Sequence, residues 1–342
     1  MPDDNSTKIL FLTQKIHQDD DDLAFVILWI KEFIRQGAEV QVICLEKGKF
    51  DDSFPVYSLG KEKGAGKWRR IINFYKYIFT LDYNRVFVHM NPEYVTLGGW
   101  WWWLTRRPIY LWYTHYTRHF HLWLSGILCR RMFAATVQSL PQYNHTPKKV
   151  VTGHGIDVDF WLKKTEETAE EPQEFKLLTV HRLCRSKRLE IPLLALKKLG
   201  SLYNLIVYGR EVEKDYVAEI KDLITKEDLA GQVHFTGPVP MAELGQVYPR
   251  HRLLLNMAME TIDKTMLEAM LFGLYPVTTP GNSQAIGLPV WPAGETAEDL
   301  ADFIREGKWR AYDRQYLQAI VKEKHSLPAL ITKMLGYITK GE

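Results

Sequence analysis

Short apolar runs alternate with amphipathic stretches along nearly the whole chain, and a glycine or a polar loop marks most changeovers. Residues 8–13 (KILFLT) predict a buried strand, followed by a polar loop over 14–22 that contains four consecutive aspartates. A helix over 23–36, a stop at Gly37 and a strand over 40–44 come next. The alternation continues with a basic amphipathic helix near 67–80, a strand at 85–89, an aromatic helix near 94–104, a strand at 108–112 and a helix near 117–132. Short strands at 134–137 and 149–152 close this half, before a turn at Gly153-His154-Gly155-Ile156-Asp157.

Residues 163–174 (KKTEETAEEPQE) are charged and almost without apolar side chains, which reads as a surface linker. The rhythm then restarts. Strands are expected at 176–181, 205–208, 233–235, 253–256 and 275–278, with helices near 189–199, 214–226, 241–248, 265–272 and 298–306. The tail, 312–339, reads as two helices, with Ser326 as an N-cap and Pro328 in the first turn of the last one. Strands separated by helices throughout predict an α/β fold of two doubly wound, parallel-sheet, Rossmann-like domains. A length of 342 residues supports two cores rather than one. The expected division is 1–160, 161–320, and a terminal helical segment, 321–342, packing back on the first domain.

Composition narrows the class. With 46% hydrophobic and 25% charged residues the chain is globular rather than disordered. Cys44, Cys129 and Cys184 lie far apart without metal-ligand spacing, which points to a reducing compartment and to no metal site. The opening MPDDNSTKILFL lacks the basic flank and apolar core of a signal peptide, and the longest nearly uncharged apolar stretch, around 95–104, is cut off by Arg106 and Arg107 and is too short to span a bilayer. A cytoplasmic protein without a transmembrane helix is expected. Charge is uneven: residues 61–149 hold 14 Lys and Arg against 3 Asp and Glu. Nucleic acid and an anionic membrane are the usual partners of such a face. Here Lys67, Trp68, Arg69 and Arg70 lead an aromatic helix, and Trp100, Trp101, Trp102 and Trp103 run into Arg106 and Arg107. Indole rings beside cations suit a membrane headgroup layer, the competing reading being part core and part subunit interface. The membrane is preferred, because no nucleic-acid-binding motif accompanies the charge.

The densest stretch is 253–279, where an apolar strand, a polar loop, a short helix, Gly273 and a second strand follow one another. Glu260 lies in that loop and Glu268 in the second helical turn, at the carboxyl end of a presumed parallel strand and beside a helix N-terminus. Carboxylates there accept hydrogen bonds from sugar or ribose hydroxyls, unless Glu268 merely pairs with Lys264 on a solvated face. Arg182 and Lys187 stand at the exit of the strand 176–181, where both can reach one diphosphate. Gly209 and Gly237 end two further strands of that half and either admit a ligand against backbone or only let the chain turn.

Taken in order, Arg182-x4-Lys187, a strand ending in Gly209, the segment Val233-His-Phe-Thr-Gly237, and Glu260-x7-Glu268 followed by Ala269, Met270 and Gly273 resemble the retaining GT-B glycosyltransferases of family 4 over about residues 150–310. The resemblance implies two domains facing a cleft, with Arg182 and Lys187 on the donor diphosphate, Glu260 on the transferred sugar and Glu268 on the nucleotide ribose. It places Gly209, Gly237, Lys264 and Thr265 in the donor site, and His115, after the strand at 108–112, near the reaction centre. His89, at another strand end, is a reserve candidate for acceptor binding. Where the family has Glu-Gly-Phe-Gly this chain has Glu260-Thr261-Ile262-Asp263, so the glycine cradle is missing and Lys264 compensates as a cation. Where the family has Lys-Gly it has Lys187-Arg188. The aspartates replace a glycine-rich loop: Asp21 or Asp22 caps the helix that follows, and Asp19 or Asp20 orients an acceptor hydroxyl.

The implied activity is transfer of a sugar, with retention, from a nucleotide-diphosphate sugar to a lipid-linked or membrane-surface saccharide, at the inner face of a membrane. It implies no cofactor and no metal, because Arg182 and Lys187 can neutralise the leaving diphosphate. A soluble acceptor, a nucleotide-sugar epimerase or phosphorylase activity, and a nucleic-acid-binding protein are the alternatives.

Overall fold

The computed structural model describes residues 6–20, 23–115, 117–163, 173–259 and 262–340. They divide into two compact units, Met1–Gly155 with Leu327–Glu342, and Ile156–Ser326. In the first unit, β1 (Lys8–Ile16), β2 (Glu39–Lys47), β3 (Val56–Ser58), β4 (Arg85–His89), β5 (Ile109–Trp112), β6 (Arg131–Ala134) and β7 (Lys149–Val151) form a parallel sheet in the order β3-β2-β1-β4-β5-β6-β7. Period two sorts the side chains. Ile9 and Phe11 of β1 face a core shared with the helices Phe25–Arg35 and Leu327–Lys340, while Leu10 and Leu12 face the opposite core. Both faces being covered, β1 reads as an unbroken apolar run.

The strand β1 is longer than expected. Lys15 and Ile16 stay in the ladder opposite Glu46 and Lys47, and the Lys15 ammonium bridges Glu46 at 3.2 Å and Asp20 at 2.9 Å, so polar side chains at the sheet end do not interrupt pairing. The helix expected at 117–132 is shorter, Phe120–Leu128. Extended backbone at His119 and Cys129 bounds it, and Met132 and Phe133 enter the sheet, where Phe133 stacks on Phe87 and Tyr110. The sheet strand therefore falls at 131–134 rather than 134–137, and β3 is an addition too short for periodicity to mark.

Ile156–Ser326 forms the second parallel sheet from β8 (Lys176–Val180), β9 (Asn204–Tyr208), β10 (Val233–Gly237), β11 (Leu253–Asn256) and β12 (Tyr275–Thr278), in the order β10-β9-β8-β11-β12. The order reverses between β8 and β11, whose carboxyl ends diverge into the crevice where doubly wound sheets bind ligands. The change of unit lies at Gly155–Ile156 rather than 160–161. The helix Val158–Lys163 already belongs to the second unit, with Trp161 buried against Tyr248 and Phe272. Residues 164–172 of the expected linker lie outside the described residues.

The chain ends in the first unit. Leu330, Ile331, Met334 and Ile338 of the helix Leu327–Lys340 enter the core with Trp29, Phe33 and Tyr110, and Arg85 Nε donates to the Ile338 carbonyl at 3.1 Å. On the other face, the helix Glu93–Leu104 distributes its tryptophans unequally. Trp102 is fully buried and donates to Tyr83 Oη at 2.9 Å, with its ring folded onto Gly98, where a Cβ would lie 2.5 Å from it. Trp100 and Trp103 are exposed and Trp101 is half-buried.

Candidate functional site

The crevice between β8 and β11 gathers several of the expected residues. Lys187 lies in a single 3-10 turn, Arg185–Lys187, after β8 and is buried. Its ammonium donates to both oxygens of Asp263, at 2.6 and 2.8 Å. Asn256, the last residue of β11, donates from Nδ2 to Asp263 Oδ2 at 2.8 Å. Burial alone would push the Asp263 carboxyl up, but Lys187 and the Asn256 hydrogen bond hold it below the usual carboxylate range. Asp263 is also the N-cap position of the helix Lys264–Leu271, yet its carboxylate makes no capping bond and turns to Lys187 and Asn256 instead.

Around this pair the loops are tied together. Met259 N donates to the Ser186 carbonyl at 3.4 Å, and Arg188 Nε to the Met257 carbonyl at 2.7 Å. Arg188, standing where the family pattern has glycine, adopts φ 51°, the left-handed conformation that glycine reaches without strain, and is held by an ion pair to Glu295 at 2.7 Å. Gly209 answers to close approach: a Cβ there would lie 1.9 Å from the His181 carbonyl oxygen. Its N–H donates to the Gly237 carbonyl at 2.9 Å, and Gly237 itself has φ 80°.

His181, which follows β8, is buried and bonds through Nδ1 with the Arg182 carbonyl at 3.0 Å. Burial, reinforced by the Lys187 charge, drops its pKa to about 4, so the ring is neutral at ordinary pH. An uncharged Nδ1 facing a carbonyl carries the proton, which leaves Nε2 an acceptor. Nε2 is buried and has no hydrogen-bond partner among the described residues.

Glu268 is buried rather than on a solvated face. Burial pushes its carboxyl up to about 7, against the opposing influence of Lys264 and of the Tyr248 hydroxyl, which donates to Oε2 at 3.4 Å. The Lys264 amine is itself buried, which lowers its pKa well below the lysine range. Thr265 donates its hydroxyl to the Val180 carbonyl at 3.1 Å, so it ties the helix to β8. Glu260 lies outside the described residues, as do Asp21 and Asp22.

The candidates in the first unit are dispersed. His115 is exposed after β5, its ring edge-on to Tyr113 at 5.5 Å and its carbonyl accepting from Leu140 N. His89 is buried among Phe11, Phe25, Trp29 and Trp112, stacked on the last at 5.3 Å and 3.3 Å from Thr13 Oγ1. It is a core histidine in this arrangement and presents nothing to solvent. Asp19 is exposed, whereas Asp20 accepts from Leu23 N at 2.8 Å, ahead of the helix, and pairs with Lys15. Of the residues read as membrane-facing, Lys67, Trp68, Arg69, Trp100, Trp103 and Arg106 are exposed, and Arg70 and Trp101 are half-buried. Trp102 is a correction, being core, and Arg107 lies over the Tyr83 ring at 4.1 Å. No helix among the described residues is long and apolar enough to cross a membrane.

Sequence reasoning missed Asp263 as the partner of Lys187, and with it Asn256, His181 and Tyr248. The only signal was Asp263 standing in place of a glycine.

Residues 162–286, which contain this crevice, match the family described as glycosyl transferases group 1. Comparison with curated proteins returns no match. Among solved structures, the chain is similar to HepE of Anabaena in complex with UDP and glucose, at 19% identity and a TM-score of 0.74 over 97% of this chain and 99% of that one. It is similar to the sucrose-phosphate synthase of Thermosynechococcus elongatus at 15% identity and a TM-score of 0.72, over 98% of both chains. WaaG, a glycosyltransferase involved in lipopolysaccharide biosynthesis, aligns at 16% identity and a TM-score of 0.67, over 97% of this chain and 99% of that one. Residues 162–286 thus match the group 1 glycosyl transferases, and the two units have the fold of the GT-B glycosyltransferases.

Proposed function

We propose that this protein transfers a sugar, with retention, from a nucleotide-diphosphate sugar to a lipid-linked or membrane-surface saccharide. One observation carries the reading: within the segment that matches the family, Lys187 and the buried Glu268 flank the point where the strand order reverses. Arg182 and Lys187 hold the diphosphate and offset the charge that develops as it leaves, so transfer runs without a metal or other cofactor. Glu268 accepts from the ribose hydroxyls, Glu260 addresses the transferred sugar, and the backbone at Gly209 and Gly237 admits the donor. The leaving phosphate takes the proton of the acceptor hydroxyl, and substitution of His115 impairs transfer. HepE and the pneumococcal transferase GtfA were solved with UDP, which makes uridine the first base to try.

The membrane part rests on Trp68 and Trp103, 77% and 74% exposed, beside Lys67, Arg69 and Arg106. Exposed indoles with cations next to them in sequence suit an anionic headgroup layer, where each basic residue contributes about 1 kcal/mol. The deciding experiment is a thermal-shift screen of nucleotides and nucleotide sugars on the wild type and on Glu268→Ala. Stabilisation of the wild type alone supports the assignment, and no stabilisation by any nucleotide refutes it.

A further inference from the structure

We propose that Asp263 is a built-in stand-in for the donor diphosphate, holding the Lys187 ammonium itself and having to give it up when a diphosphate binds. The inference rests on the reading of Lys187 as a diphosphate ligand. Three observations carry it.

The first is the completeness of the pairing. Both oxygens of Asp263 take the Lys187 ammonium, at 2.6 and 2.8 Å, and Asn256 Nδ2 adds a third short contact at 2.8 Å. Charge-assisted bonds to two oxygens of one anion are what the terminal oxygens of a phosphate would offer the same donors. The second is place. Asp263 stands at the N-cap of the helix Lys264–Leu271, at the carboxyl ends of β8 and β11 where the sheet order reverses, and that crevice is the anion-binding locus of the fold. The third is orientation. A capping carboxylate ordinarily turns onto the first amides of its helix, and that of Asp263 turns to Lys187 and Asn256.

A second carboxylate cannot share this ammonium with a diphosphate cheaply. Two negative charges about 4 Å apart repel even in water, and more strongly in a buried site. Bound diphosphate therefore competes with Asp263 for Lys187, and the apparent affinity for diphosphates is lower than the cations alone would provide. The pairing also neutralises the Lys187 charge, since an unpaired buried ammonium would be costly.

The test is calorimetric titration of the full chain with inorganic pyrophosphate, with UDP and with uridine. Asp263→Asn should bind pyrophosphate and UDP at least tenfold more tightly than the wild type while uridine binding stays level, and Lys187→Met in that background should erase the gain. Equal or weaker pyrophosphate binding by Asp263→Asn overturns the proposal and makes Asp263 a positioning residue for Lys187. If pyrophosphate binding tightens but neither UDP nor any other nucleotide binds, the stand-in survives and the donor assignment falls. Should the substitution prevent folding, the carboxyl 13C resonance of Asp263 in the wild type decides. It must shift as pyrophosphate is added, and a signal that does not move overturns the idea.

Discussion

Tyr248 donates its hydroxyl to Glu268 Oε2 at 3.4 Å, and both groups are shut away from water. A hydrogen bond this long does not restore the hydration that the carboxylate has lost, so burial leaves Glu268 titrating at about 7. The ionised form accepts ribose hydroxyls more strongly than the neutral acid, one oxygen of which carries a donor proton. Nucleotide affinity should therefore be level above pH 8 and fall toward tenfold per unit below about 7, and Glu268→Gln should be weaker and flat across that range. Titration calorimetry between pH 5.5 and 8.5 measures both. The sign for stability is the opposite: a carboxyl raised above its unfolded value of 4.5 contributes stability that is complete below 4.5 and is lost as pH rises through 7.

Trp102 and Trp103 are neighbours in sequence with opposite surroundings. Trp102→Ala removes a buried ring and its bond to Tyr83 and should cost about 3–5 kcal/mol in a denaturant melt. Trp103→Ser should change stability by less than about 0.5 kcal/mol. On vesicles containing anionic lipid, Trp103→Ser with Trp68→Ser should reduce co-sedimentation severalfold. Unchanged sedimentation would remove the membrane from the functional proposal.

Gly209→Ala drives a methyl group into the His181 carbonyl, 1.9 Å away, and backbone on both sides must move. A loss of about 1–3 kcal/mol in stability is expected, with weakened nucleotide binding because the displaced turn carries Arg182. Gly237→Ala meets no atom within 4 Å and is opposed only by its φ of 80°, so it should cost about 1–2 kcal/mol and leave the β8 turn in place.

Arg188 combines a left-handed backbone with two anchors, the Met257 carbonyl and Glu295. Arg188→Ala keeps the strain and loses both anchors, whereas Arg188→Gly loses the anchors and the strain together. Glycine should be the more stable of the two by about 1 kcal/mol in paired urea melts. If the two variants melt alike, the strained conformation has been avoided by a local shift.

Much of the architecture was legible because parallel strands covered on both faces announce themselves as short apolar runs. The runs in β5, β8, β11 and β12 lie within a residue or two of their expected ends. The failures share a cause. Lys15 and Ile16 pair in β1 although the local pattern is polar, since ladder hydrogen bonds are made by backbone and tolerate polar side chains at the end of a strand. Arg182, Lys187 and Glu268 were singled out by their order along the chain. What Lys187 touches was not, because a salt bridge to a residue 76 positions away leaves no trace in spacing. His89 misled for a related reason: a histidine at a strand end looks functional until the aromatic rings enclosing it are known.

The helix Leu327–Lys340 lends the first unit a wall of its core from the far end of the chain. During synthesis, Trp29, Phe33 and Tyr110 must therefore wait with one side uncovered until Ile156–Ser326 has been made and the last residues have left the ribosome. The unit begun first is thus finished only after the second has been made, and a chain cut short near residue 326 would carry an open, aromatic, aggregation-prone first core.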